Sequence, residues 1–175
     1  GLLAASKKDN EIELNFPLIE ESKINYPPEL EKALGVKPKY VGMTKWNYVV
    51  EVDSEDTVRS IKPDFDLLQS LQGWGTIVTA KASMSGYDFV SRFFAPEKGV
   101  KEDPATGSSH CVLGPFWQKR LNKNEFKAYQ ASERGGVLSV RVEKERVYLS
   151  GKAVTVLKGE INLYPKLKPD LRGLS

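Results

Sequence analysis

One apolar helix in the middle of the chain limits what this sequence can fold into. The spacing predicts a helix that begins near Gly107 or Ser108 and ends at about Leu121. Its apolar side chains spread widely around the helix barrel, so we expect the helix to be wrapped by a sheet and not laid on a surface. These side chains are Val112, Leu113, Phe116, Trp117 and Leu121.

Short strand patterns lie on both sides of this helix. Ile12, Leu14 and Phe16 alternate with polar residues, which is the period of a half-buried strand. Similar patterns predict strands at residues 40–43, 48–52, 75–80, 87–94, 126–131, 137–142, 146–150 and 154–161. Shorter helices are predicted at residues 28–34, 54–61 and 65–71, with Asp53 or Ser54 and then Asp64 as caps of the last two. Because helices and strands do not alternate regularly, the predicted fold class is α+β, with a mostly antiparallel sheet curled around the central helix.

The composition narrows the class of protein. Apolar residues make up 40% and charged residues 28% of the 175-residue chain, which is typical of a soluble globular protein. The net charge is +3 and basic residues are interspersed with acidic ones, so we expect no nucleic-acid partner. No apolar run approaches the roughly 20 residues that a membrane-spanning helix needs, so we expect no membrane association either.

Cysteine and histidine are scarce in this chain. With Cys111 as the one cysteine and His110 as the one histidine, an intrachain disulfide and a structural Cys/His zinc site are excluded. We expect no metal ligands and predict Cys111 as a core residue, because a buried free thiol behaves as a small apolar group. One thiol fits a reducing cytoplasm, which we predict as the location.

The segment Asp103-Pro104-Ala105-Thr106-Gly107-Ser108 lies directly before the central helix. The first backbone N–H groups of a helix have no intrahelical partner, and the helix dipole adds partial positive charge there. Small residues let a ligand approach that backbone, and the hydroxyls of Thr106 and Ser108 add donors, so the segment can bind a carboxylate. Asp103 beside it could accept a hydrogen bond or carry a proton. An ordinary helix cap that begins with an Asp-Pro turn remains the alternative.

Several blocks of the sequence resemble the signature of the phenazine-biosynthesis (PhzF-like) family, in the family's order and spacing. These blocks are residues 12–17, 88–96, 99–110, 129–136 and 149–160. The resemblance covers nearly the whole chain except the tail. It implies a diaminopimelate epimerase-like fold, in which two similar domains each curl a sheet around a helix and the active site lies between them.

The resemblance also implies a function and site residues. Family members move a proton on a small carboxylic acid without a metal or an organic cofactor. From the resemblance we also expect a homodimer. Asp103 is implied as a catalytic residue, and Gly107 and Ser108 as substrate-binding residues. Together with the hydroxyl of Thr106, these residues form the predicted substrate-binding wall. We therefore predict an isomerase or epimerase for which this chain supplies one half of the active site.

The catalytic glutamate of the family has no counterpart in this chain. In the family it lies in the N-terminal domain, and the resemblance implies that most of this domain is missing here. This chain does not begin with methionine, so either it was processed or an upstream segment is missing. Residues 1–17 are predicted as the last strands of that domain, residues 18–160 as the C-terminal domain and residues 161–175 as a tail. The alternative function is a non-catalytic module for carboxylate binding or oligomerisation.

Other residues near the motif leave alternatives open. His110 either packs and hydrogen-bonds inside the fold or faces the cleft. Gln130, Ser132 and Gly135-Gly136 are candidates to line the cleft, but a tight turn that needs the backbone freedom of glycine is the simpler account of the two glycines.

Two further sets of residues lie outside the motif. Asp88 and Arg92 lie four residues apart in a strand pattern, and we expect an internal ion pair between them. Trp46, Trp74 and Trp117 are scattered along the sequence, and nothing indicates a platform on which bases could stack.

Overall fold

In the computed structural model, which describes residues 3–8 and 11–160, one ten-stranded sheet runs through the chain. Its strands are β1 (Ala4–Lys8), β2 (Glu11–Pro17), β3 (Ser22–Lys23), β4 (Tyr40–Met43), β5 (Asn47–Glu51), β6 (Gly75–Lys81), β7 (Phe89–Phe94), β8 (Glu125–Gln130), β9 (Gly136–Glu143) and β10 (Arg146–Lys152). The helices are α1 (Pro28–Leu34), α2 (Glu55–Ser60), α3 (Phe65–Ser70) and α4 (Gly107–Leu121). The predicted α+β class is confirmed, with a large sheet and few helices.

The strand order is β1-β2-β10-β9-β8-β7-β6-β5-β4-β3. The β5–β6 and β7–β8 pairs are parallel, and the other neighbouring pairs are antiparallel. Parallel neighbours need a crossover, which α2 and α3 supply between β5 and β6 and α4 supplies between β7 and β8. The carboxyl ends of β7 and β8 therefore lie at the same end of the strands. The amino ends of β5 and β6 lie at that end too, because β6 runs antiparallel to β7.

α4 packs against one face of the sheet. Its buried residues share a core with side chains from β5 through β10 and with Phe16 of β2. Gly114 lies where this helix comes closest to the sheet: a Cβ there would be 3.0 Å from Val142 Cγ2 and 3.2 Å from Val140 Cγ1. The absence of a side chain at this position lets helix and sheet approach each other closely.

The three short helices cover the opposite face of β4 to β7. Successive residues of these strands belong to opposite cores: Val49 packs with α4, and Val50 packs with the short helices. Because both faces are covered, β5 and β6 are buried at consecutive positions, residues 48–50 and 76–80, and do not alternate. β8, covered on one face, instead alternates buried and exposed residues along its first half.

Most predicted helices and strands are present within about two residues of their predicted bounds. The prediction of a strand at residues 154–161 is wrong for residues 154–160, which form no strand, and Ile161 lies outside the described residues. The physical reason is that β10 already pairs with β2 on one edge and with β9 on the other. No strand edge beside β10 is left for the following residues, and Val154, Val156 and Leu157 are exposed.

None of the helices in residues 3–8 and 11–160 has the length and apolar content that a bilayer crossing requires.

Candidate functional site

The segment before α4 begins at the carboxyl end of β7. The chain makes a 3₁₀ turn at Pro96–Lys98 and folds back, with Ala95 and Val100 joined by backbone hydrogen bonds. The N–H of Asp103 then donates to the carbonyl of Phe93 at 3.0 Å. This bond holds Asp103 beside the end of β7, directly before the helix.

Asp103 and Thr106 are joined by a short hydrogen bond. The Thr106 hydroxyl lies 2.5 Å from Asp103 Oδ2. Behind it, the Gln130 side chain accepts from the N–H of Thr106 at 2.8 Å and donates to the Asp103 carbonyl at 2.6 Å and to Thr106 Oγ1 at 3.1 Å. Gln130 is the last residue of β8, so the parallel β7–β8 pair places it next to the segment. It is fully buried and does not line a cleft.

The turn after β8 supports the segment from the other side. Ser132 Oγ donates to the carbonyl of Pro104 at 2.8 Å. Gly136 packs so closely on Ala105 that a Cβ would lie 2.9 Å from the Ala105 Cβ. Gly135 has a positive φ of 72°, which a tight turn requires and which favours glycine. The tight turn predicted from Gly135-Gly136 is therefore confirmed.

The amino end of α4 is open to a ligand. Thr106 is the N-cap residue, but its hydroxyl is engaged with Asp103 and makes no capping bond. The first turn carries no acidic residue. The first N–H groups and the positive end of the dipole are thus available to an anion.

A cavity of about 410 Å³ lies at this helix end. It is lined by Asn47, Trp74, Phe93, Ala95, Lys98, Val100, Asp103 and Ser108. Its volume is within the range of small-molecule sites. The topology explains which residues form its walls. One end of the central strands brings together the amino ends of β5 and β6, the carboxyl end of β7 and the start of α4.

The structure places the four predicted site residues close together, but only two of them line the cavity. Asp103 and Ser108 line the cavity. Thr106 is 6% exposed and lies behind Asp103, so it contacts Asp103 and Gln130 instead of lining the cavity. Gly107, the first residue of α4, is partly buried.

The family model of phenazine biosynthesis-like proteins, PhzC-PhzF, matches residues 3–159. The chain belongs to this family. A protein of Halalkalibacterium halodurans named as an uncharacterized isomerase is 51% identical over 164 residues, which are 93% of this chain and 62% of that protein. A protein of Pseudomonas aeruginosa with the same description is 46% identical over 163 residues, again 93% of this chain and 62% of that protein. The chain thus spans about 62% of the length of these curated relatives.

A solved structure agrees with this assignment. The crystal structure of a PhzF-family phenazine biosynthesis protein from Enterococcus faecalis superposes with a TM-score of 0.84 and is 42% identical in sequence. The match covers 92% of this chain and 61% of that one. The fold described above is therefore the fold of the PhzC-PhzF family.

In this PhzC-PhzF chain His110 and Cys111 follow the motif, and both are buried. Burial lowers the pKa of His110 to about 4, although the hydrogen bond to the Thr106 carbonyl opposes this shift. Burial raises the pKa of the Cys111 thiol to about 12. Cys111 is a core residue, as predicted, and His110 packs inside the fold and does not line the cavity.

The predicted ion pair between Asp88 and Arg92 is wrong. Four residues along a strand span about 13 Å, so side chains on one face at this spacing do not touch. Asp88 instead pairs with Lys123 at 2.6 Å. Arg92 binds both carboxylate oxygens of Glu102, at 2.8 and 2.9 Å, and this pair fixes the residue before Asp103 to β7.

Sequence reasoning missed the aromatic part of the cavity wall. Trp74 is 48% exposed and stacks on Trp46 with ring centroids 5.4 Å apart. Lys98 Nζ lies 4.4 Å from the centroid of the Trp74 ring. The available signal was that each tryptophan directly precedes a strand, although the parallel pairing of those strands could not be read from the sequence.

Among the described residues, no three His, Cys, Asp or Glu side chains lie close enough together to hold a metal ion.

Proposed function

We propose that the whole protein is an isomerase that moves a proton on a small carboxylic acid without a metal or an organic cofactor, and that this chain forms one wall of its active site. The observation that carries the proposal is the cavity that Asp103 and Ser108 line at the amino end of α4. The isomerase names of the relatives favour this enzyme over a binding module without activity.

The cavity has complementary groups for such a substrate. The first N–H groups of α4 and the Ser108 hydroxyl would bind the substrate carboxylate, helped by the helix dipole. Phe93, Val100 and Trp74 would contact the carbon skeleton. The Asp103 carboxylate would accept a hydrogen bond from a neutral or cationic group of the substrate, because it repels a second carboxylate.

The proposed reaction transfers a proton and no net electrons. A base removes a proton from one carbon of the substrate, a double bond shifts, and another carbon receives a proton. The base would be a glutamate supplied from outside this chain, as the family resemblance implies. Asp103 would support the transfer from this side of a cleft between two domains of the diaminopimelate epimerase type.

The test measures hydrogen exchange on a defined probe. The whole protein is incubated in deuterium oxide with a cyclohexadiene carboxylate whose C–H next to the carboxylate is doubly allylic and therefore acidic. Mass spectrometry then reports deuterium incorporation and double-bond migration. We expect wild-type protein to catalyse both, and Asp103→Asn and Ser108→Ala to lower kcat/KM by about tenfold or more.

Matched variants control for general damage. Asp66→Asn and Ser70→Ala alter an exposed acid and an exposed serine on α3 that do not line the cavity, and these variants should behave like wild type. Absence of exchange with the wild-type protein would contradict the proposed reaction. Exchange that Asp103→Asn and Ser108→Ala leave unchanged would contradict the site.

A homodimer, a cytoplasmic location and a role in a biosynthetic process are further parts of this proposal that rest on the family resemblance. Light scattering on the purified whole protein would test the dimer: a mass of one protomer contradicts it.

A further inference from the structure

We propose that Gln130 is a positioning residue: it fixes the direction of the Thr106 hydroxyl and so presents Asp103 to the cavity as a hydrogen-bond acceptor. The hydrogen-bond geometry carries this inference. Its consequence for turnover rests on the proposed function.

The orientation of the Gln130 side chain follows from two backbone groups. An N–H can only donate, so the atom 2.8 Å from the N–H of Thr106 must be the amide oxygen. A carbonyl can only accept, so the atom 2.6 Å from the Asp103 carbonyl must be the amide nitrogen. A flipped amide would break both bonds.

The orientation of the hydroxyl follows from that of the amide. The Gln130 nitrogen has no lone pair to offer, so it donates to Thr106 Oγ1 across 3.1 Å. The hydrogen of the hydroxyl is then left for Asp103 Oδ2, which lies 2.5 Å away. The chain of donors therefore runs in one direction, from Gln130 through Thr106 to Asp103.

The surroundings make this direction hard to reverse. Gln130 is fully buried and Thr106 is 6% exposed, so water cannot readily supply a substitute partner. Hydrogen bonds in a low-dielectric interior are stronger and polarise one another along a chain.

The arrangement has a consequence for proton transfer. Because Oδ2 accepts the hydroxyl hydrogen, a proton carried by Asp103 must reside on Oδ1. Within the described part of the chain, Oδ1 makes no hydrogen bond, and Asp103 lines the cavity. Exchange of a proton with a ligand would thus pass through one defined oxygen.

A purely structural role makes a different prediction. The bonds from Gln130 to the two backbone groups could by themselves hold the segment in place. Thr106→Val removes only the hydroxyl and retains both of those bonds. Under a structural role Thr106→Val leaves kcat unchanged, whereas under our proposal it lowers kcat.

The kinetic arm uses the whole protein and the cyclohexadiene carboxylate probe. We expect Thr106→Val to lower kcat by about tenfold or more with a smaller change in KM, and Thr106→Ser to recover most of that loss. Gln130→Glu retains the shape, but when ionised it accepts where Gln130 donates and so competes with Asp103 for the hydroxyl hydrogen. We expect a similar loss, and no additive loss in the double variant Thr106→Val/Gln130→Glu. Thr79→Val is the matched control, because Thr79 is a buried threonine whose hydroxyl bonds Val90 and Trp117 and not Asp103.

The spectroscopic arm needs no substrate. In the isotope-labelled protein, NMR should show a Thr106 hydroxyl proton that exchanges slowly with water and is close to the Gln130 side-chain amide protons. Thr106→Ser should keep such a signal, and Gln130→Glu should lose its proximity to amide protons.

The two arms separate the two proposals. A slow hydroxyl proton together with no turnover by wild-type protein would support the hydroxyl direction and contradict the proposed function. Turnover that Thr106→Val leaves unchanged would contradict the role of Gln130 while supporting the function. A rapidly exchanging hydroxyl in wild-type protein would overturn the fixed direction, even if Gln130→Glu fails to fold.

Discussion

At the residue scale, His110 shows how burial can couple stability to pH. The ring is fully buried and stacks on Phe89 with centroids 6.0 Å apart. Its Nδ1 lies 2.8 Å from the Thr106 carbonyl, so Nδ1 carries the hydrogen. Burial lowers the pKa of His110 from 6.5 to about 4, with partial opposition from that hydrogen bond.

The sign of the pH effect follows directly. As pH falls below 6.5 the unfolded chain binds a proton at His110 that the folded chain does not bind until pH is about 4. We therefore expect the free energy of unfolding to decrease over this window, by on the order of 3 kcal/mol, and to be unaffected by His110 above it. Urea unfolding at a series of pH values measures this decrease. His110→Asn should remove it, and an equal slope in that variant would contradict the assignment.

Glu55 illustrates the opposite case, a buried acid kept ionised. It is 4% exposed, and its Oε2 accepts the N–H groups of Ser83 and Met84 at 2.8 and 2.9 Å while Arg59 binds Oε1. Burial alone would raise the pKa of Glu55, but bonds from Met84, Arg59 and Ser83 outweigh it and lower the pKa to about 2.

We expect Glu55→Gln to lower the free energy of unfolding by about 2 kcal/mol at neutral pH, because an amide cannot accept from donors on both sides. The stabilisation by Glu55 is fully present above its unfolded pKa of 4.5 and is lost as pH falls toward 2. The difference between wild type and variant in urea unfolding should therefore shrink below pH 4.5. Asp56→Asn, at the exposed neighbour, is the control, and a difference that stays constant down to pH 2 would count against the argument.

The residues of the motif were predictable, but their support was not. Asp103, Gly107 and Ser108 share one local segment, and the chemistry of a helix end follows from it. Gln130 lies 24 residues from Thr106 in the sequence, so its bonds depend on the parallel pairing of β7 and β8. A single glutamine carries no local signal for such a contact.

At the element scale, local signals located most helices. Ser54 accepts the N–H of Thr57 at 3.1 Å and Asp64 accepts that of Leu67 at 3.0 Å, as expected of capping residues. Gly35 ends α1 in the left-handed conformation that favours glycine. These bonds span a few residues, which is why the sequence alone could indicate them.

The stacked tryptophans could not be predicted in this way. The register pairs Asn47 with Gly75, so Trp46 and Trp74 precede neighbouring positions of parallel strands. The crossover between those strands contains two helices, and the packing of these helices decides that β6 lies beside β5.

We expect Gly114→Ala to destabilise the protein although it is a helix substitution. Alanine in a helix interior ordinarily stabilises by about 1 kcal/mol relative to glycine. Here its Cβ would press on Val142 at 3.0 Å and Val140 at 3.2 Å, which costs about 1–3 kcal/mol in a packed core. Urea unfolding should show a net loss.

The cause is tested by a second change. In a Val142→Ala background the added methyl group has room, so Gly114→Ala should cost less there than in wild type. Gly151→Ala serves as a control, since its Cβ would meet only an ordinary contact of 3.7 Å. A stabilising Gly114→Ala in wild type would show that the sheet yields freely at this point.

At the scale of the whole molecule, the predicted division at residue 17 remains a prediction that the sheet makes testable. β2 pairs with β10 from Glu11 to Pro17, and Phe16 packs on the α4 core. Among residues 3–8 and 11–160, β1 pairs only with β2, and its residues Ala4 to Lys7 are exposed. β2 therefore contributes to the pairing of β10 and to the α4 core, whereas β1 contributes a pairing with β2 alone.

Two shortened chains separate these contributions. A chain that begins at Glu11 lacks β1 and should unfold at nearly the same temperature as the full sequence, because it loses no core residue. A chain that begins at Leu18 also lacks β2, which leaves one edge of β10 unpaired and removes Phe16. We expect it to lose about 3 kcal/mol or more of unfolding free energy, measured by circular dichroism in urea.

The second chain decides how the boundary should be understood. If residues 1–17 belong only to a preceding domain, the chain from Leu18 should be as stable as the chain from Glu11. Since Val147 and Leu149 of β10 lie in the α4 core and depend on β2 for pairing on one side, we expect a clear difference instead. Such a difference would mean that the strand leading into this domain completes the sheet that holds α4, and with it the cavity at the helix end.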